Sequence, residues 1–90
     1  MEQTKTILML GRRDPTETMR VAAGLTIFGH TPNVVFLVPV PDTPENAEMA
    51  ELLEFSDIEA KTTLPDQSLP HIGVQDLASA IVAADAIINI

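Results

Sequence analysis

The sequence predicts an α/β fold with a mainly parallel sheet of about four strands. Short runs of consecutive apolar residues alternate with segments of helical character along the chain. Two of these helical segments open with a capping residue, a proline and an acid, and 46% of the 90 residues are hydrophobic. Strands covered on both faces are apolar throughout, and their alternation with helices is typical of parallel sheets. A chain of this length fits one domain, so we expect residues 1–90 to form a single unit.

The first strand and helix carry the clearest local pattern. Thr6–Leu10 indicates a buried strand that ends at Gly11. Asp14 is expected to cap a helix that begins at Pro15, because proline suits the first helical position and an acid follows three residues after the cap. The helix is expected to end near Gly29. The residues expected on its buried face are Met19, Ala22, Ala23, Thr26 and Ile27.

The second strand and helix repeat this order. Val34–Val38 is a second apolar run, and the prolines that follow it end the strand. The sequence Thr43-Pro44-Glu45 then starts a helix that is expected to continue to Phe55. The residues expected on its buried face are Met49, Leu52 and Leu53.

The last third of the chain predicts a strand, a loop, a helix and a closing strand. Ile58–Leu64 is more polar than the other strands and is expected at an edge of the sheet. A loop over 65–70 precedes a third helix over 74–84, and Ala86–Ile90 forms the closing strand. The residues expected to point inward from the third helix are Leu77, Ala78, Ile81 and Val82.

Charge and cysteine content exclude several classes of function. The net charge is −8, and among the five basic residues only Arg12 and Arg13 are adjacent. Nucleic-acid binding requires clustered cations, and acidic surfaces are repelled by anionic membranes, so neither partner is expected. The absence of cysteine excludes disulfides, a thiolate nucleophile and thiolate metal sites. We expect a cytoplasmic protein, since the N-terminus lacks the apolar core of a signal peptide.

The apolar composition also bears on assembly. Aromatic residues make up 3% of the chain, so the core must be aliphatic. A chain this small with so high an apolar fraction often completes its core against a neighbour. We therefore expect a homo-oligomer.

A candidate ligand site lies where the first strand leads into the first helix. Ligands of open α/β sheets bind at the carboxyl ends of the strands, and a helix N-terminus attracts anions. Adjacent arginines can bind a carboxylate, a phosphate or a sulfur oxyanion. His71 belongs to a loop that could lie over the strand ends. The candidate ligand-binding residues are Gly11, Arg12, Arg13, Asp14, Thr16 and His71.

Other interpretations of these residues stay open. The two arginines could instead pair with Asp14 and Glu17 in an exposed turn. His71 could act as an acid or base together with Asp66 or Asp76. The spacing of the histidines demands no metal site, so no metal or cofactor is expected.

Further patterns are weaker. Glu45, Glu48 and Glu51 recur at every third position and could either attract a basic partner or form a solvated helix face. The chain has no P-loop, no G-x-G-x-x-G and no G-x-S-x-G sequence. No motif in the sequence therefore supports nucleotide binding or serine hydrolase chemistry. We assign no catalytic residue.

Three stretches of the chain resemble the DsrE/DsrF/DsrH-like sulfur-relay family. They are the opening strand Ile7–Gly11, the helix 18–30 that ends in Gly-His before the strand 34–37, and the ending Leu77–Ile90. The resemblance implies a three-layer, flavodoxin-like sandwich, a DsrE-like domain over the whole chain, and assembly into dimers, trimers or hexamers.

The resemblance also implies where a catalytic residue would lie. Catalytic members of this family carry a persulfide on a cysteine near the end of the third strand, and the matching stretch 61–65 has none. The chain is thus similar to a short, non-catalytic member. It is expected to act as an oligomeric or accessory subunit in sulfur relay or sulfur metabolism, with copies of itself or related subunits as partners. The alternative is a protein that binds a small anion or metabolite at the first strand-helix turn.

Overall fold

The computed structural model describes residues 6–65 and 68–90, which form an all-parallel sheet of four strands with three helices. The strand order is β3-β2-β1-β4, and each neighbouring pair is parallel. The predicted fold class and the β-α-β-α-β-α-β order are therefore confirmed. In chain order the elements are β1 (Ile7–Gly11), α1 (Pro15–Ile27), β2 (Asn33–Phe36), α2 (Pro44–Phe55), β3 (Ala60–Thr62), α3 (Val74–Ala83) and β4 (Ala86–Asn89).

The first two helices begin where their capping residues predict. The Asp14 carboxylate accepts the backbone N–H of Glu17 at 3.1 Å, and α1 starts at the proline that follows the cap. The Thr43 hydroxyl likewise accepts the backbone N–H of Asn46 at 3.1 Å at the start of α2. Each cap satisfies an N–H group that has no partner inside its own helix, which fixes the start of the helix.

The strand order places helices on both faces of the sheet. The chain moves outward from β1 to β2 to β3 and then crosses to the other side of β1 to add β4. One buried cluster joins α1 and α2 to the sheet and contains Met9, Met19, Ala22, Phe36 and Leu53. A second cluster of Leu8, Leu10, Val35 and Ile72 packs on the opposite side against Leu77, Ala80 and Ala84 at α3. The molecule thus has three layers.

The second strand is shorter than predicted. We expected it to continue to Val38, but β2 ends at Phe36. Leu37 still donates its N–H to the carbonyl of Gly11 at 2.9 Å, and Gly11 is the last residue of β1. Because the neighbouring strand ends there, the apolar residues after Leu37 have no strand to pair with.

Several helix residues expected in the core are exposed. Ile27 is the last residue of α1 and is 82% exposed, and Leu52 of α2 is 46% exposed. In α3, Leu77 is half-buried as predicted, whereas Ala78, Ile81 and Val82 are exposed. Apolar periodicity shows which face of a helix is hydrophobic. It does not show whether another part of the same chain packs against that face.

Candidate functional site

The predicted arginines lie at the point where the strand order of the sheet reverses. From β1 the chain continues to β2 on one side, while β4 pairs with β1 on the other. Ligands of open α/β sheets bind in the crevice at this position. Arg12, Arg13, Asn89 and Ile90 line a cleft of about 210 Å³ there. Residue patterns did not point to Asn89, although a polar residue ends this otherwise apolar strand.

The main chain of this cleft is held by the residue after β4. The carbonyl oxygen of Ile90 accepts the N–H groups of Arg12 at 2.8 Å and Arg13 at 2.9 Å. The N–H of Ile90 in turn donates to the carbonyl of Leu10 at 3.0 Å. The N–H of Asp14 donates to the same Ile90 carbonyl at 3.5 Å, so three N–H groups of the turn are engaged. The arginines can therefore contact a ligand only through their side chains.

The helix N-terminus beside the cleft already has an acid of its own. The Asp14 carboxylate caps α1, and the Asp14 carbonyl accepts both the N–H and the hydroxyl of Thr18, at 2.9 and 2.8 Å. Pro15 has no N–H to offer. The structure therefore places Asp14 in a capping role, and the start of α1 attracts an external anion less than the sequence suggested.

Thr16 connects the two helices of one layer. Its hydroxyl donates to the side-chain oxygen of Asn46 at 2.5 Å, and the amide of Asn46 donates to the carbonyl of Pro41 at 2.8 Å. Asn46 is 4% exposed. This network satisfies a buried amide and joins α1 to α2, so Thr16 is engaged away from the arginines. No residue pattern marks this pairing across 30 positions.

Glu17 pairs with Arg20 rather than with the candidate arginines. Arg20 makes two 2.6 Å hydrogen bonds to the Glu17 carboxylate, which lower the pKa of Glu17 and raise the pKa of Arg20. Over residues 6–65 and 68–90, the other ion pair joins Lys61 to Glu59 at 3.9 Å. The expected alternative, in which Arg12 and Arg13 pair with Asp14 and Glu17, is not observed among these residues.

His71 lies at the far side of the sheet. The cross-strand register pairs Gly11 with Phe36, Phe36 with Thr62, and Thr62 with His71. Three strand spacings therefore separate Gly11 from His71, which is about 14 Å at the usual spacing of neighbouring strands. The structure does not bring His71 together with the arginines.

Of the two acids proposed as partners for His71, the structure describes Asp76. Asp66 falls outside the described residues. Asp76 lies in the first turn of α3. Between residues 6 and 65 and from 68 onward, no group of three or more histidine, cysteine, aspartate or glutamate side chains is placed to hold a metal ion.

Gly11 allows close packing at the end of β1. A Cβ atom on this residue would lie 2.6 Å from Cδ1 of Phe36 and 3.1 Å from the hydroxyl oxygen of Thr18. Both neighbours are buried, so neither can move aside freely. The structure gives Gly11 a packing role beside the candidate cleft.

A buried threonine ends β3, in the stretch where the family resemblance implies a catalytic cysteine. Thr62 is 1% exposed, and its hydroxyl oxygen accepts the N–H of Leu64 at 3.1 Å. Its backbone N–H donates to Pro70 and its carbonyl accepts from Ile72, both at 2.9 Å. A hydroxyl cannot carry a persulfide, and this one is shielded from solvent.

A second notable surface lies on α3 and β4. We call it the α3/β4 face and define it by Val74, Ala78, Ile81, Val82 and Ile87. Val74, Ala78 and Val82 are spaced four residues apart and share one side of α3. Val74 and Val82 are each 86% exposed, while Ile81 and Ile87 are about 40% exposed. The register pairs Ile87 with Leu8, which places it on the α3 side of the sheet.

The α3/β4 face is poor in charge. Residues 74–90 contain two of the 13 acidic residues, Asp76 and Asp85, and no basic residue. Asp85 accepts the N–H of Thr6 at 2.7 Å and so is engaged at the start of β1. The α3/β4 face therefore combines exposed aliphatic side chains with little of the charge that the whole chain carries.

In the described ranges 6–65 and 68–90, no helix has the length and apolar character required to cross a membrane. Comparison with models of known protein families, with curated proteins and with solved structures finds no match.

Proposed function

We propose that this chain is a non-catalytic, DsrE-like subunit of an oligomer, in which a second copy covers the α3/β4 face. In this proposal its role in sulfur relay or sulfur metabolism is accessory. The observation that supports an oligomer is the exposed α3/β4 face. The family assignment is supported by the resemblance of the three stretches described above, together with the all-parallel sheet.

Burial of the α3/β4 face would stabilise an assembly. Moving a largely exposed valine or isoleucine side chain out of water contributes about 1.5–3 kcal/mol. A typical stable interface removes about 800 Å² from each partner, roughly an eighth of the 6074 Å² surface of this chain. Segment 74–90 holds nearly a fifth of the residues, and 12 of its 17 residues are exposed.

Charge and symmetry favour a second copy as the occupant. Two chains with a net charge of −8 repel each other least where they carry the fewest acids, and segment 74–90 carries two. Ile87 and Ile88 lie in β4, which forms one edge of the sheet. Two such edges can pair antiparallel around a two-fold axis, which is the commonest symmetry of soluble oligomers.

The proposal leaves sulfur transfer out because the sequence provides no residue to carry a persulfide. The 90 residues contain no cysteine, so this chain has no group that can carry a persulfide. Thr62 at the end of β3 has a buried hydroxyl that accepts a hydrogen bond from its own turn. In this proposal, the subunit supports or positions other proteins and does not transfer sulfur itself.

The test of the oligomer uses two neighbouring positions on α3. Val82→Glu puts a charge on the α3/β4 face and is expected to convert the oligomer to monomer, because burying an unpaired carboxylate costs several kcal/mol. Ala83→Glu adds the same charge about 100° further around the same helix and is expected to leave the assembly unchanged. Sedimentation velocity of both variants at one concentration makes the comparison. Equal masses for Val82→Glu and Ala83→Glu would remove the α3/β4 face from the proposal.

We also propose a second function, binding of a small anion at the cleft beside β1. The observation that favours it is that Arg12 and Arg13 flank the strand-order reversal without an ion pair to any acid in residues 6–65 and 68–90. Two guanidinium groups present several fixed donors, which suit a phosphate or a sulfur oxyanion.

Thermal unfolding with sulfate, phosphate and thiosulfate at constant ionic strength tests this second function. An anion at about ten times its Kd stabilises the native state by about 1.4 kcal/mol. For a domain of this size, that energy raises Tm by roughly 5–10 °C. Arg12→Ala/Arg13→Ala is expected to abolish the shift. Arg20→Ala/Lys61→Ala removes the same net charge from paired positions and is expected to retain it, so loss in both variants would contradict an anion site at the cleft.

A further inference from the structure

Phe55 lies on the surface of a chain that has very few aromatic residues. The chain has three phenylalanines, and Phe55, the last residue of α2, is 90% exposed. Leu52 is 46% exposed and precedes it by three positions, so the two side chains are neighbours on the helix. Neither is needed for the core, because α2 packs on the sheet through Leu53.

Glutamates border this apolar pair. Glu48 is four positions before Leu52, and Glu51 is four positions before Phe55, so each acid lies beside an apolar side chain on the exposed surface. We call the surface formed by Glu48, Glu51, Leu52 and Phe55 the α2 outer face. A shallow depression on α2 is lined by these four residues together with Met49 and Glu54.

Within residues 6–65 and 68–90, no ion pair neutralises the glutamates of the α2 outer face. No lysine or arginine occurs between residues 21 and 60, and the last turn of α2 contains no basic residue. This turn is also the negative end of the helix dipole, where cations are favourable and acids are unfavourable. The carbonyl groups of Leu52, Leu53 and Glu54 already accept hydrogen bonds from residues 56–58. A cation from outside the chain would therefore be stabilised mainly by the glutamates.

We infer that the α2 outer face docks a basic amphipathic helix of another protein. Apolar residues of that helix would pack on Leu52 and Phe55, while its lysines or arginines would face Glu48 and Glu51. Charge complementarity selects this occupant: a second copy carries a net charge of −8, and nucleic acids and anionic membranes are also negative. The inference does not depend on the proposed function, because α2 and α3 cover opposite faces of the sheet.

The probe is a fluorescent amphipathic peptide of about 18 leucines and lysines arranged with helical periodicity. Its binding to the full chain is followed by fluorescence anisotropy, first in about 50 mM salt and then in about 300 mM salt. We expect saturable binding that weakens as salt rises. A peptide of the same composition with the leucines and lysines in scrambled order, which has no apolar stripe, is expected to bind at least about tenfold more weakly.

Two variants separate the apolar contact from the charge. Phe55→Ser leaves the net charge unchanged and is expected to weaken binding about tenfold, since an aromatic contact is lost. Glu48→Gln/Glu51→Gln is expected to weaken binding about tenfold in low salt. Asp42→Asn/Asp76→Asn removes the same charge at exposed positions elsewhere and is expected to change the affinity less than twofold. Circular dichroism confirms that each variant is folded.

Four results would overturn the inference. The first is the absence of binding to the unmodified chain. The second is an equal loss of affinity in Glu48→Gln/Glu51→Gln and Asp42→Asn/Asp76→Asn, and the third is no loss in Phe55→Ser, because either would mean a general attraction between opposite charges. The fourth is a change in oligomeric mass caused by Phe55→Ser, which would mean that a second copy already covers the α2 outer face.

Discussion

Replacing Phe36 with alanine is expected to destabilise the chain by about 3–5 kcal/mol, because it removes a buried ring from the core. Phe36 is 1% exposed and belongs to the buried cluster beneath α1 and α2. Its removal takes away the apolar contacts of a whole ring and leaves a cavity. The free energy of unfolding of a typical domain is about 5–15 kcal/mol. Phe36→Ala is therefore expected to remove a large part of it.

Phe55→Ala is the matched control for Phe36→Ala. It makes the same chemical change at a position that is 90% exposed, and it is expected to alter the free energy of unfolding by less than about 0.5 kcal/mol. Urea unfolding of both variants, followed by circular dichroism at one protein concentration, measures the difference. Similar losses in the two variants would mean that Phe36 is not in the core described above.

Gly11→Ala is expected to cost about 1–3 kcal/mol, because the added methyl group overpacks a filled site. Its Cβ would lie 2.6 Å from the Phe36 ring and 3.1 Å from the Thr18 hydroxyl oxygen. The backbone at the end of β1 would have to shift, and the adjacent turn carries Arg12 and Arg13.

Gly24→Ala provides the comparison for Gly11→Ala. Gly24 lies within α1, and a Cβ there would meet nothing within 4 Å. Because glycine is unfavourable inside a helix, this variant is expected to gain about 0.5–1 kcal/mol. Opposite shifts of the urea midpoint are therefore expected from the same substitution. A stabilising Gly11→Ala would contradict the close packing between β1 and Phe36.

Local rules predicted much of the fold. The caps Asp14 and Thr43, each followed by proline, identified the starts of α1 and α2, since capping depends on residues within one turn. Apolar runs identified the strands, and their alternation with helices predicted the parallel sheet that the structure confirms. The polar composition of β3 predicted its place at an edge, which the strand order also confirms.

Properties that depend on distant residues were predicted less well. The end of β2 is set by the end of β1, and the exposure of Val82 depends on what packs against α3. At the site, the strand-helix turn was correctly placed at the carboxyl end of β1. The bond from Thr16 to Asn46 joins separate helices, and the separation of His71 from Gly11 depends on the order of three strands. None of these relations leaves a periodic pattern in the sequence.

Sedimentation equilibrium of the unmodified chain, over a range of protein concentrations, tests the central proposal most directly. We expect an average mass of at least twice the 9.7 kDa of one chain at the higher concentrations, since aliphatic side chains on α3 and β4 would be covered by another copy. A mass of one chain at every concentration would contradict self-association as the role of this surface.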